Sequence, residues 1–216
     1  MQTKLIALCV LLTSLATAQT SISTNETTPN PFTFETAKKP QRDRYFSIQY
    51  MGLTFHPGGG AVRMVKNYPL KFDEKAYLVL NIGASAAFDV DISKKFFLRA
   101  SAAAFMDCAY LKSGFLHIGF RWKALTMGKH SINMGVGPTF AFREDWHRFD
   151  EYRDTDFYGD RVYKGWQYRF FPVGGEIEYL FKINKNLEFQ YSLIPGYPAV
   201  MTSKFGFRWK LNNKNQ

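Results

Sequence analysis

Three sets of residues carry the side chains from which chemistry could be built. His117 stands in an otherwise apolar and small-residue run, and with an inward carboxylate beside it, it would make a general base. His130 and Ser131 are the only adjacent histidine–serine pair. Asp154, Asp156, Tyr158 and Asp160 alternate around Gly159, a spacing at which carboxylates can ring a hard cation. Tyr158 takes a ligand position there and no glutamate closes the loop, so no metal is expected. The largest set is charged: Asp89, Asp91, Arg99, Arg121, Lys123, Glu176, Glu178, Glu188, Arg208 and Lys210 fall at alternate positions in runs whose other residues are large and apolar. Five acids against five bases suit mutual pairing, and no cofactor is needed to explain them. The expected chemistry is therefore an ion-pair network, with catalysis by His117 the weaker reading.

The elements that must position these residues are extended strands. From Gly114 onward, Leu116, Ile118, Phe120, Trp122 and Ala124 alternate with His117, Gly119, Arg121 and Lys123. After a connection at Thr126 to His130, Ile132, Met134, Val136, Pro138, Phe140 and Phe142 alternate with Asn133, Gly135, Gly137, Thr139, Ala141 and Arg143. A period of two places successive side chains on opposite faces of a strand. One face is wholly apolar and the other small, hydroxylated or charged. Strands of about nine to eleven residues, apolar outward and polar inward, are the pattern of a transmembrane β-barrel.

The same alternation predicts strands at Tyr45–Phe55, Tyr77–Ile92, Phe96–Asp107, Trp166–Phe181, Leu187–Ile194 and a last one ending Phe205–Leu211. With the central hairpin, the fold class is all-β, an eight-stranded antiparallel up-and-down transmembrane barrel. Tight turns near Ser93, Gly128 and Asn184 share one end, the periplasmic one, and the longer loops share the other, as in outer-membrane barrels. The interior of eight strands is only wide enough for side chains to fill it, so a plugged lumen is expected rather than a pore, despite the porin-like fold.

Composition agrees. The chain has 216 residues with 21 Phe, 12 Tyr and 4 Trp, 17% aromatic, while a mean hydropathy of −0.25 averages over the interleaved charges. Past the N-terminus no run of about eighteen apolar residues exists to make a membrane helix. Residues 1–18 read as a cleaved secretory signal, with Lys4, an apolar stretch from Leu5 to Leu12 and Ala16-Thr17-Ala18 before Gln19. Residues 19–43, rich in Thr, Asn and Pro, read as a flexible periplasmic lead-in, 44–211 as the barrel and 212–216 as a tail. Export leaves Cys108 as a lone cysteine, which cannot form an internal disulfide. The net charge of +10 would suit nucleic acid, but an exported chain meets instead the phosphates of lipopolysaccharide.

Pro138 and Pro172 each remove a ladder donor from neighbouring strands, and mark a possible lateral opening in the wall or a local kink beside Gly135, Gly137, Gly174 and Gly175. The aromatic and acidic stretch from Glu144 to Gly165 offers Trp146, Tyr152, Tyr158 and Tyr163 for contact with a protein or a sugar.

From Tyr45 to Leu211 the chain resembles the small eight-stranded outer-membrane barrels, the OmpX-like and OmpA-like class in its Bacteroidota style. Met134-Gly135-Val136-Gly137-Pro138 and the aromatic closing strand Phe205 to Trp209 carry that resemblance. In that class the closing strand usually ends the chain on Phe or Trp, whereas here Asn212 to Gln216 follow. The resemblance implies a monomer in the outer membrane of a Gram-negative cell, in contact with outer-membrane lipid and lipopolysaccharide and with no nucleic acid. It further implies a structural or surface-interaction role through the outer loops, with an envelope or extracellular protein as a possible partner. Two kinds of small barrel are enzymes, the lipid A deacylases and the palmitoyltransferases. The deacylases carry a His-Ser pair on a strand, whereas His117 is followed by Ile118, and His130-Ser131 falls in a turn on the side away from outer-leaflet lipid A. A lipid-modifying enzyme is the alternative, and an accessory barrel of a secretion or envelope-assembly system a further one.

Overall fold

The computed structural model describes residues 42–57, 64–150, 152, 158, 161–196 and 200–211. The signal segment 1–18, nearly all of the 19–43 lead-in and the 212–216 tail lie outside the described residues. Strands β1 (Arg44–Phe55), β2 (Leu78–Asp91), β3 (Phe96–Met106), β4 (Lys112–Met127) and β5 (His130–Glu144) form a meander. A two-residue strand β6 (Val162–Tyr163) then precedes β7 (Trp166–Lys182), β8 (Leu187–Gly196) and β9 (Val200–Leu211). Every long strand is antiparallel to its neighbours; β5 pairs with β7, and β1 pairs with both β2 and β9. The eight long strands thus form a closed antiparallel β-barrel. Among the described residues no helix is long and apolar enough to cross a membrane.

Alternation sets which way each residue points, and the outside is apolar. Ile48, Ile82, Leu98, Leu116, Ile118, Val136, Phe140, Ile177 and Phe207 are exposed, while their neighbours Ser47, Gln49, Asn81, Arg99, His117 and Gln190 are buried. A water-soluble barrel would leave that belt facing solvent as one patch. Rings gather at both margins of the belt: Phe46 on Trp209 and Phe96 on Phe120 toward the short turns, Phe140 on Tyr168 and Phe142 on Trp166 toward the long loops. Paired aromatic girdles of this kind flank the hydrocarbon zone of membrane barrels.

Most strand ends fall within one or two residues of the alternation reading, and three departures from it bear on the site. A register shift between Lys123 and Leu125 inserts a bulge, so Leu125 rather than Ala124 faces outward opposite Ile132. The β4–β5 turn is shorter than expected, because β4 runs to Met127 and β5 starts at His130, and Gly128 supplies the positive φ of 59° that the turn needs. Strand β9, whose start the alternation did not define, begins at Val200, and Met201 to Lys204 pair with β1 and β8 despite a broken alternation of apolar residues.

Candidate functional site

The lumen at the short-turn end is an ion lattice. Arg99 on β3 grips Asp89 on β2 with two parallel bonds, Nε to Oδ1 at 2.7 Å and Nη2 to Oδ2 at 2.8 Å. The fork matches the carboxylate's geometry, which makes this the strong form of the pair. Arg208 on β9 donates from Nε to the same Asp89 at 2.8 Å and from Nη1 to Glu188 at 2.6 Å. The Nη1 of Arg99 also reaches across the barrel to Glu178, which accepts further bonds from Asn133 and Gln190. One layer up, Glu176 accepts from Arg121 and lies 3.0 Å from Lys204 Nζ. Arg99, Arg121, Lys204 and Arg208 therefore face Asp89, Glu176, Glu178 and Glu188, and the charges balance. Buried charge persists only in such pairing. Lys123 with Asp91 and Lys210 with Asp43 sit further out, at the half-exposed rim.

Of the ten charges anticipated from alternation, the structure gathers Asp89, Arg99, Arg121, Glu176, Glu178, Glu188 and Arg208 into this lattice. It places Asp91, Lys123 and Lys210 in separate rim pairs. Lys204 is the member that sequence reasoning missed, because alternation identified only the end of its strand and not where it begins; a lysine two residues before Gly206 in the same alternation was the available signal.

His117 lies at the upper edge of the lattice. Arg121 Nη2 donates to its Nε2 at 3.2 Å, and its Nδ1 donates to Thr139 Oγ1 at 2.7 Å. A guanidinium donating to Nε2 fixes the neutral Nδ1–H tautomer and occupies the lone pair that a general base would use. His130 bonds through Nδ1 to Tyr179 Oη at 2.7 Å, next to the short β4–β5 turn. It is far along the barrel from His117, so the histidines build no joint site.

At the long-loop end the loops pack on one another. Met64, Val65 and Tyr68 from the β1–β2 loop, Cys108, Ala109 and Leu111 from the β3–β4 loop, and Trp146 and Tyr152 after β5 share one apolar cluster. Asp107 organises it: its carboxylate accepts from the amides of Ala109 at 2.9 Å and Leu111 at 3.0 Å and from Trp146 Nε1 at 2.9 Å. Arg143 stands under the cluster with its guanidinium 4.5 Å from the Trp146 ring centroid and 4.1 Å from that of Tyr158, and donates to Gln167 Oε1 at 2.9 Å. Burial pushes the Asp107 carboxyl above its ordinary range, partly offset by those donors, and pushes the Cys108 thiol up as well. A thiol held protonated is no nucleophile. His56, at the base of the β1–β2 loop, is pushed below its usual value by burial.

This cap revises the loop residues anticipated for binding. Trp146 and Tyr152 are 7% and 8% exposed; they hold the loops together and are not offered to a partner. Tyr163 at 63% is offered, as are Tyr110 and Phe72, which composition did not single out. Of Asp154–Asp160 only Tyr158 lies within the described residues. Asp107→Ala leaves the Trp146 indole and two amides without their acceptor, at about 1 to 3 kcal/mol each. The expected result is a red-shifted tryptophan emission and faster proteolysis between residues 145 and 165, with the barrel itself still intact.

The prolines meet, but the wall is not parted where they do. Pro138 on β5 lies opposite a bulge at Pro172 and Val173 on β7, and the ladder continues on both sides, Gly137 to Gly174 and Thr139 to Phe171. The seam between β5 and β7 is therefore bent and closed, and Pro138 with Pro172 does not form an opening there.

No family model matches the chain, and no curated protein does. Solved structures similar to it include Ail, the attachment invasion locus protein of Yersinia pestis, determined alone and with the heparin analogue sucrose octasulfate. In the latter the identity is 8% over 79% of this chain and 97% of that one, with a TM-score of 0.42. Another is the N-terminal β-barrel domain of Pseudomonas aeruginosa OprF, 8% identical over 79% and 100% of the two chains at 0.43. Neisserial surface protein A is 8% identical over 79% and 99% at 0.41. On its own strand count, closure and inverted surface, the chain is a closed eight-stranded antiparallel membrane β-barrel, the fold class of the small OmpX/OmpA-like barrels.

Proposed function

We propose that the protein is a structural and surface-interaction barrel of the bacterial outer membrane, exported through a cleaved signal, whose loops meet envelope glycolipid or an envelope or extracellular protein. The observation that carries this reading is the filled lumen. Four arginine and lysine side chains and four carboxylates pack the interior, so the lumen has the character of a plug and the surface that remains for function is the capped long-loop face. The cap has its own apolar cluster, which gives the loops the fixed shape that recognition needs, and it presents Phe72, Tyr110 and Tyr163 to the outside. Exposed aromatic anchors on a rigid support are the usual strong points of a binding surface.

The alternative, lipid modification through His117, is met by the bonds that occupy both its ring nitrogens. A Gram-negative host expressing the wild-type protein or His117→Ala tests both readings together. Lipid A mass profiles should be identical in the two strains and in the empty host. Retention of fluorescent lipopolysaccharide by the purified barrel in vesicles should fall at least fivefold when Phe72, Tyr110 and Tyr163 are changed to serine. A lipid A mass change that disappears with His117→Ala would establish the enzyme instead.

A further inference from the structure

The turn end of the barrel carries cations without matching carboxylates among the described residues. Each tight connection holds lysine: Lys94 and Lys95 between β2 and β3, Lys129 between β4 and β5, and Lys185 between β7 and β8, with Lys182 closing β7 beside it. Arg44 opens β1 at the same end, where β1 meets β9. All six are exposed. The carboxylates at this height already have partners: Asp43 lies 2.6 Å from Lys210, Asp91 2.7 Å from Lys123 and Glu188 2.6 Å from Arg208. By sequence, the segments flanking the barrel, 36–42 and 212–216, add four Lys or Arg and no Asp or Glu. The long-loop end is built differently, with Lys71, Lys75 and Lys112 interleaved among Asp73, Glu74 and Glu144.

Position along the strands decides what these cations meet. Arg44 lies two residues beyond Phe46, whose ring stacks on Trp209. Lys95 lies one residue beyond Phe96, whose ring stacks on Phe120, and Lys182 one beyond Phe181, whose ring meets that of His130. At about 3.3 Å per residue, these side chains start roughly 3 to 7 Å past the turn-side rings. The aromatic belt of a membrane protein sits at the level of the headgroups. Lysine and arginine stems can lie along such a belt while their charged ends reach into the polar layer.

The arrangement is also circular. Cations stand at all three tight turns and at the β1–β9 closure, so they encircle the barrel rather than mark one side of it. A bilayer leaflet surrounds a barrel in the same way, whereas a folded partner leaning on it would touch one side.

We propose that the turn end is an anionic-lipid collar, in which these six cations hold the phosphate headgroups of anionic phospholipid in the leaflet on the turn side. The collar fixes the depth of the barrel and enriches those lipids around it. It places much of the net charge of +10 at the end away from the loops that would meet glycolipid. It is independent of the loop-binding role and rests only on membrane insertion.

Native mass spectrometry of the full barrel released from vesicles of equal phosphatidylglycerol and phosphatidylcholine tests the collar. A basic residue beside an anionic surface is worth about fivefold in binding, so wild type should retain phosphatidylglycerol over phosphatidylcholine by about fivefold or more. The triple replacement Lys94→Gln, Lys129→Gln, Lys185→Gln, all outside the strands, should lower that preference by about threefold or more. Lys75→Gln, Lys112→Gln, Lys164→Gln removes the same charge from the long-loop end and should leave the preference unchanged. Each variant is scored only after its unboiled band shows the same heat-modifiable shift as wild type, which separates loss of the collar from loss of insertion. Equal retention of the two lipids by wild type would overturn the collar, as would an equal loss of preference in the two triple variants. Binding of isolated peptidoglycan that the turn variant loses, with the lipid preference unchanged, would give these charges to a cell-wall polymer and likewise overturn it.

Discussion

Replacing Arg99 with methionine is expected to lower the unfolding free energy by about 3 to 5 kcal/mol, the cost of leaving buried carboxylates without their counter-charge. Arg99 is 1% exposed and, among the described residues, is the one whose ion pairs join the two halves of the lattice, Asp89 on one side and Glu178 on the other. Removing it strands Glu178 and leaves Asp89 with one guanidinium instead of two. Arg208 still holds Asp89, but Glu178 keeps only the amides of Asn133 and Gln190. The heat-modifiable band should convert at a lower temperature and at a lower urea concentration. The double replacement Arg99→Met, Glu178→Gln removes the stranded charge, leaves three bases facing three carboxylates and should recover much of the loss. If the single variant were as stable as wild type, the lattice would contribute nothing to the barrel.

The second large effect falls on a glycine at the closure. Gly206 on β9 faces inward beside Gln49 of β1 and Gln190 of β8. A Cβ there would lie 2.1 Å from the carbonyl oxygen of Ile48 and 2.6 Å from the Cα of Gln49. Both are backbone atoms, so the neighbour cannot swing away, and the only relief is to part β1 from β9. Gly206→Val should cost about 3 kcal/mol or more, beyond the usual range of overpacking, and leave a large share of the protein unshifted on the unboiled gel. Gly175→Ala is the matched control, since its Cβ finds ordinary contact, and it should move stability by about 0.5 kcal/mol at most.

Period-two patterning made the barrel readable because a membrane wall imposes it on every strand: Leu98 and Ala100 must face lipid, so Arg99 must face the lumen. The lattice was readable for the same reason, as any charge in such a run has one place to go. What escaped depended on departures from period. Lys204 was hidden by the mixed stretch from Val200 to Lys204. The bulges at Lys123–Leu125 and at Pro172–Val173 shift phase without changing composition. The burial of Trp146 and Tyr152 depends on a carboxylate at Asp107, 39 residues from Trp146, and alternation carries no information about loops. Where the β7–β8 ladder ends, at Ile177 opposite Leu193, is a property of pairing, which no single strand records.

The first strand of the ring is bonded to the last. Arg44 pairs with Leu211 and Phe55 with Met201, so no segment short of the whole barrel is a closed object. A chain synthesised only as far as β8 carries two raw edges, one on β1 and one on β8, and neither can be satisfied within itself. Contacts this distant in sequence form late, after the loop-closure entropy of nearly the full chain has been met. Assembly is thus a race between ring closure and edge-to-edge aggregation, and its outcome is set by the arrival of β9 rather than by the stability of the finished barrel.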